Sequence, residues 1–322
     1  MEKKAIRRSG MQAMSGAPTY VVAICTRNHP MLLRRCVDSL LRADIPPSCI
    51  LVIDNAPADD ETRRVAVESG VLYVCEPTPG RLHARRKAVD SSQGEVIAFI
   101  DDDTEVASTW LGPILEAFTD PSVGCVTGRV IPRIPMNRVQ RAYTDFAIKL
   151  DGVPRRYKAS DFESTFFPGA IGIGANMAFR REVTVTIQPF ATVPGISSAE
   201  EDVAFYQLVR AGWQLQYAPE AVLTIEHRSG LWSQMRRLYE YGYCTVLVIH
   251  SVFAEGNLRL NRQEIRKDSW GALRRVVSAV RHGSPLQFLF AVSYLTGNIA
   301  AVLVLPLSRR QHSESVGRRI VR

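Results

Sequence analysis

The sequence predicts an α/β fold: a mostly parallel sheet flanked by helices, then a C-terminal helical extension. Three observations carry this. From Tyr20 to Ile100, short apolar runs alternate with segments of helical spacing, and that alternation requires a parallel sheet with crossover helices. Three of the runs end in polar residues, at Thr26-Arg27, Asp54-Asn55 and Asp101-Asp102-Asp103. From Leu231 onward the apolar spacing is helical.

Taken in order, Tyr20 to Cys25 reads as a first buried strand, and Thr26 to Pro30 as a turn. Met31 to Arg42 reads as a helix carrying Leu32, Leu33, Cys36, Val37, Leu40 and Leu41 on its apolar positions. Pro46-Pro47 stops it. Cys49 to Ile53 is a second strand. A helix capped by Asp59 or Asp60 runs to about Glu68, and Gly70 closes it. Val71 to Cys75 is a third strand, Pro77 to Gly80 a turn, and a basic helix with Arg81, Arg85, Arg86 and Lys87 follows. Val96 to Ile100 is the fourth strand. Beyond it come a helix at Trp110 to Phe118 and a strand at Val123 to Thr127. Residues 134 to 168 lose periodicity. Asn176 to Phe179, Trp213 to Tyr217 and Ala221 to Ile225 read as strands, and Val203 to Ala211 as a helix ended by Gly212. The implied domains are a basic, disordered start (1–18), an α/β domain (19–230) and a helical region (231–322).

Composition narrows the function classes. The 322 residues hold 40 Lys+Arg against 32 Asp+Glu, a net charge of +8, which favours anionic partners. Much of the excess lies near the two ends, in Lys3-Lys4, Arg7-Arg8, Arg309-Arg310 and Arg318-Arg319, and reads as solvated tails rather than nucleic-acid arms. No nucleic-acid partner is expected. Six cysteines are scattered without a C-x-x-C pair; Cys25, Cys49, Cys75 and Cys125 read as reduced core residues. No secretory h-region follows the first basic residues, and a cytoplasmic location is expected.

The chemistry centres on Asp101-Asp102-Asp103. Three carboxylates stand where a buried strand should end, the place at which open α/β sheets bind ligands. In an extended chain Asp101 and Asp103 share a face. Two acids on one face repel unless a cation sits between them, and all-oxygen donors suit Mg²⁺ or Mn²⁺. The bland alternative is an acidic loop or a helix cap. With Arg81 and Arg85 nearby, the edge offers carboxylates for a cation or ribose and guanidiniums for phosphate. No G-x-G-x-x-G follows the first strand, which argues against a dinucleotide dehydrogenase. The glycines from Gly169 to Gly174 read as a close backbone approach beside a site, or as a plain loop. Glu200-Glu201-Asp202, at a helix start, either complements the macrodipole or supplies a base.

An ordered set of motifs over residues 19–245 resembles the inverting family 2 glycosyltransferases of GT-A fold: Thr26-Arg27-Asn28, Val52 to Asn55, Pro79-Gly80 with Ala84-Arg85, Phe99 to Asp103, Gly174 to Arg180, Glu201-Asp202, and Pro219 to Arg228. The resemblance implies transfer of a sugar from a nucleotide-sugar donor, UDP- or dTDP-linked, to an acceptor hydroxyl. It implies that Asp54 binds the nucleobase and Asp101 the ribose side. Thr26, Arg27, Arg81, Arg85 and Asp102 would contact the donor, Asp103 the Mg²⁺ or Mn²⁺, and Asn176 and Glu201 the acceptor, while Asp202 would be the general base. Two departures stand out. Arg86 occupies a place where the family often has Asn, and Ile225 one where it usually has a metal- or phosphate-binding histidine. His227, two residues on and on the same strand face, is the expected substitute. The rival readings are a nucleotidyltransferase, which would need a glycine-rich loop after the first strand, and a non-catalytic nucleotide-sugar binding protein at the membrane.

Leu286 to Leu307 is a nearly uncharged run of roughly 22 residues with basic flanks, long enough to span a bilayer. An interfacial or buried helix is the preferred reading, with peripheral binding to an anionic membrane surface.

Overall fold

The computed structural model describes residues 18–134, 136–147, 152–162, 172–188, 190, 196, 198–253 and 258–317. The N-terminal stretch expected to be disordered, up to residue 17, and residues 169–171 of the glycine run lie outside the described residues.

The first half follows the alternation read from sequence: β1 (Tyr20–Thr26), α1 (Pro30–Arg42), β2 (Ile50–Asn55), α2 (Glu61–Glu68), β3 (Leu72–Glu76), α3 (Arg81–Ser91) and β4 (Val96–Asp101). The four strands are parallel in the order β3-β2-β1-β4. Their apolar runs are continuous because both faces are covered. Val21, Ala23, Leu51, Ile53, Ile97 and Phe99 point into one core with Ala84 and Ala88 of α3. Their neighbours Val22, Ile24, Ile50, Val52, Ala98 and Ile100 point into the other, with Leu33, Val37 and Leu40 of α1. Cys75 departs from its expected place in the core: β3 is an edge strand, and this thiol is exposed.

After β4 the order becomes mixed. β5 (Thr104–Val106), α4 (Leu111–Ala117), β6 (Val123–Pro132), α5 (Arg138–Ala147), β7 (Arg155–Tyr157), α6 (Ala159–Phe162), β8 (Asn176–Arg180), α7 (Arg181–Thr186), α8 (Glu200–Arg210) and β9 (Gln214–Ile225) follow. β8 runs antiparallel between β4 and β6, β9 lies parallel to β6, and β5 and β7 pair antiparallel with β9. Two expected strands, Trp213 to Tyr217 and Ala221 to Ile225, are one strand. Its register jumps between the pairs Gly128–Ala218 and Arg129–Val222, where Pro219 has no N–H to give the ladder. The aperiodic stretch 134–168 holds α5, β7 and α6 among its described residues.

The chain ends in three long helices, α9 (Leu231–Phe253), α10 (Leu258–Arg281) and α11 (Pro285–Gly317). Val248 and Ile249 of α9 join the core that α3 and α8 share. α9 and α11 cross at two glycines: a Cβ on Gly242 would collide with the Tyr294 carbonyl oxygen, and one on Gly297 with that of Tyr239. The apolar run expected at Leu286 to Leu307 falls within α11. Pro285–Val304 is long and apolar enough to cross a membrane, and a third of it is buried against the other helices.

Asn176 locks β8 into this sheet. It is fully buried; its Oδ1 accepts from Trp110 Nε1 at 2.9 Å, and its Nδ2 donates to the Arg129 and Ala221 carbonyls at 3.1 and 2.9 Å. Asn176→Ala would leave three polar groups without a partner. It is expected to lower unfolding stability by about 3 kcal/mol, measured by urea titration of the purified chain.

Candidate active site

The three aspartates do not stay extended. β4 ends at Asp101, and Asp102-Asp103 turn the chain toward β5, which pairs with β9 at the far side of the sheet. The three carboxylates therefore part company. Asp101 Oδ1 lies 3.9 Å from Arg85 Nη2. Asp102 Oδ2 accepts from Thr26 Oγ1 at 2.6 Å and lies 3.1 Å from His29 Nδ1; that hydrogen bond raises the imidazole's pKa. Asp103 Oδ1 is buried with no hydrogen-bond partner. Burial first, then the charges of Asp101 and Asp102, push its pKa up to about 7.

A buried ion pair joins α3 to α8 beside them. Arg85 Nη1 meets Glu200 Oε1 at 2.8 Å with both side chains almost wholly buried, and Arg85 Nη2 donates to the Gly174 carbonyl at 3.1 Å. The more exposed Arg81 reaches the same Glu200 oxygen at 3.3 Å. Burial disfavours the Glu200 charge, but the two arginines outweigh it and its pKa falls below the usual range. Glu201 Oε1 accepts from Gly174 N at 3.3 Å, its Oε2 has no partner, and burial with the Glu200 charge raises its pKa. A Cβ on Gly174 would lie 2.9 Å from Arg85 Nη2 and 3.0 Å from Glu201 Cδ, so this glycine makes the close backbone approach expected of the run. Asp202 follows in the first turn of α8 and is buried.

The antiparallel pairing of β5 with β9 sets Thr104 opposite Ile225. One step out, Glu226 N donates to the Asp103 carbonyl at 2.8 Å, and His227 comes next in the chain. Ile225 itself is buried in the second core. His227 is 6% exposed, and neither ring nitrogen has a hydrogen-bond partner. Burial, then the Arg237 charge, lowers its pKa to about 4, so the ring is neutral at pH 7. Its edge meets the Tyr143 ring at a centroid distance of 4.9 Å. Arg237 of α9 stacks over Tyr143 at 5.7 Å and donates to Tyr241 Oη at 3.0 Å. Tyr241 does most to raise its pKa, with smaller contributions from Tyr143 and Asp103.

The remaining expected residues divide. Asp54 is fully buried; Oδ2 accepts from Tyr73 Oη at 2.9 Å, Oδ1 has no partner, and burial raises its pKa. Arg27 is exposed in the loop after β1. Thr26 is buried and spends its hydroxyl on Asp102. Asn176, expected on the acceptor side, lies inside the sheet with its amide committed to Trp110, Arg129 and Ala221. Sequence reasoning missed Tyr143 and Arg237 as parts of this region, and it read Glu200 as a helix-start acid or a base, not as the buried partner of Arg85 and Arg81. Three acids in a row exceed what one helix start needs, which was a readable signal for Glu200. No local signal marks Tyr143 or Arg237.

The family profile described as "Glycosyl transferase family 2" matches residues 21–187. This chain belongs to that family, and it is a glycosyltransferase. It is 28% identical over 234 residues to the succinoglycan biosynthesis protein ExoM of Rhizobium meliloti, over 67% of this chain and 71% of that one. It is 24% identical to a pre-mycofactocin glycosyltransferase of Mycobacterium tuberculosis, over 69% of this chain and 45% of that one. The fold is that of a solved mannosyltransferase, PcManGT of Pyrobaculum calidifontis in complex with GDP-Man and Mn²⁺. That likeness has a TM-score of 0.56 at 17% identity, covering 88% of this chain and 87% of that chain.

Two outcomes follow from this geometry. Glu200→Gln would leave Arg85 buried beside a neutral partner, and stability is expected to fall by about 3 kcal/mol, read by chemical denaturation. The second concerns Asp103. A carboxyl whose folded pKa is about 7, against an ordinary 3.8, binds its proton more tightly folded than unfolded. Its ionisation then removes stability as pH rises from about 4 to 7. In chelator, the melting temperature of Asp103→Asn is expected to gain on wild type across that window and to hold a constant gap above it. A gap that does not change with pH would contradict the assignment.

Proposed function

We propose that this chain transfers a glycosyl group, with inversion, from a UDP- or dTDP-sugar to an acceptor hydroxyl, using Asp202 as general base. The observation that carries the reading is the convergence at the carboxyl ends of β1, β2 and β4. There Asp54 and Asp101 stand at the ends of their strands and Asp102 and Asp103 follow, and Asp101 faces the Arg81–Arg85–Glu200 cluster that leads into the acids of α8.

In this reading Asp54 Oδ1, buried and without a partner, is the acceptor that the imide N–H of uracil or thymine satisfies. Asp101 faces the ribose side. Arg81, paired with Glu200, and Arg237, whose charge acts on Asp103 and His227, would offset the charge that grows on the leaving diphosphate. The acceptor oxygen bonds to the anomeric carbon as the bond from that carbon to the diphosphate oxygen breaks; the bonding pair leaves with the diphosphate, and the acceptor proton passes to Asp202.

A divalent cation fits the donor set. Among the described residues no three His, Cys, Asp or Glu side chains form a metal cluster, but Mg²⁺-type sites take one or two protein ligands and complete their shell with substrate phosphates. Asp103 Oδ1 and a neutral His227 nitrogen, both buried and without a partner, are the residues that would hold it. Bound there, Mg²⁺ or Mn²⁺ would supply charge stabilisation to the leaving diphosphate.

Glu201 supports a second assignment of the base. Its free Oε2 and raised pKa suit proton abstraction, whereas its tether to Gly174 N suits a positioning role. Turnover, read as release of nucleoside diphosphate, separates the two. Asp202→Asn is expected to lose roughly 10²-fold or more in kcat with donor affinity preserved, and Glu201→Gln to lose far less. If Glu201→Gln alone abolishes turnover, the base is Glu201; if neither variant slows it, the proposed mechanism fails.

A further inference from the structure

We infer that the outward face of α10 is a docking surface for an anionic lipid bilayer, independent of the reaction assigned above. α10 buries Glu264, Ala272 and Ala279 on its inner side. There Asp268 accepts from Tyr294 Oη at 3.2 Å and from Asn298 Nδ2 at 2.7 Å. The side turned away from the bundle is not the polar face that such a helix normally presents to water. Trp270, Leu273, Val277 and Val280 are 55%, 39%, 43% and 63% exposed. Their spacings of three, four and three residues put them on one stripe, about 15 Å long at 1.5 Å per residue.

The charges around the stripe name its occupant. Between Arg262 and Arg281 the helix carries two acids, Glu264 and Asp268. Glu264 is buried against Lys267, and Asp268 is committed inward. Arg262, Arg266, Lys267, Arg274 and Arg281 are exposed around the stripe, and Arg274 lies over the Trp270 ring at 5.9 Å; exposed Arg275 lies instead over the Phe146 and Tyr294 rings. An apolar stripe with a tryptophan, set among cations with no outward carboxylate, matches the apolar–anionic layering of a membrane interface. A second copy of the chain fits worse, because a two-fold pairing through this stripe would bring the same arginines together. The adjoining α11 adds exposed Phe288, Ile299 and Leu303, and docking through α10 does not require α11 to cross the bilayer.

The test is flotation of the full chain with vesicles of phosphatidylcholine, with and without phosphatidylglycerol. Wild type is expected to float with the anionic vesicles, to release partly between roughly 0.1 and 0.5 M salt, and to stay below with the neutral ones. The double variant Trp270→Glu, Val277→Glu should lose at least about tenfold in partitioning with an unchanged circular-dichroism melt. Should that variant fail to fold, Arg266→Gln, Arg274→Gln, Arg281→Gln probes the charge term alone, with a loss of similar size expected. Trp270→Phe should remove most of the blue shift in tryptophan emission on anionic vesicles. Wild-type protein that ignores anionic vesicles, or a folded variant that floats as well as wild type, overturns the proposal. So does a dimer seen by light scattering that Trp270→Glu, Val277→Glu abolishes, which would assign the face to a second copy.

Discussion

The Arg85–Glu200 pair is the interaction on which the rest of this site depends. A guanidinium and a carboxylate, each almost fully buried, are held 2.8 Å apart between α3 and α8. Neither charge is tolerable there alone. Together they fix the start of α8, and with it Glu201 and Asp202, against the parallel half of the sheet. Arg85 also grips the Gly174 carbonyl and faces Asp101. One side chain thereby sets the spacing between the acids at the end of β4 and those at the start of α8. A glycine at position 174 is what lets the backbone come this close.

Around that fixed pair the charges are out of balance in a useful way. Asp54, Asp103 and Glu201 each keep a buried oxygen without a partner, and His227 keeps two nitrogens. Burial raises the pKa of all three carboxyls and lowers that of the imidazole. Such groups cost stability in the ligand-free chain, and perturbed titratable groups gathered in one region mark functional sites more often than chance allows.

Much of this was legible from sequence where the signal is local. The runs Tyr20 to Cys25, Cys49 to Ile53 and Val96 to Ile100 form parallel neighbours as read, because a strand buried on both faces writes itself as a continuous apolar run. The acids at their ends mark one sheet edge for the same reason. Non-local pairing was not legible. β5 is three residues long, and its place on β9 is set more than a hundred residues away. Asn176 is an acceptor-side residue by family resemblance; its partners Trp110, Arg129 and Ala221 lie 45 or more residues off, and they make it a structural clasp. Cys75 sits in an apolar run, yet it is exposed because β3 has a neighbour on one side only. α10 carries apolar residues on an exposed stripe as well as on its packed side, so periodicity alone reports a helix and not which stripe faces out.

The central claim is that Asp103 and His227 stand ready for a divalent cation that brings a nucleoside diphosphate to this edge. Calorimetry of UDP binding with and without Mn²⁺ tests it most directly, with Asp103→Ala and His227→Ala as companions. The expected result is micromolar-range binding (about 10⁻⁶ M, near −8 kcal/mol) that requires Mn²⁺ and weakens at least about tenfold in each variant. UDP binding of equal strength in excess chelator, or unchanged in both variants, would contradict the claim.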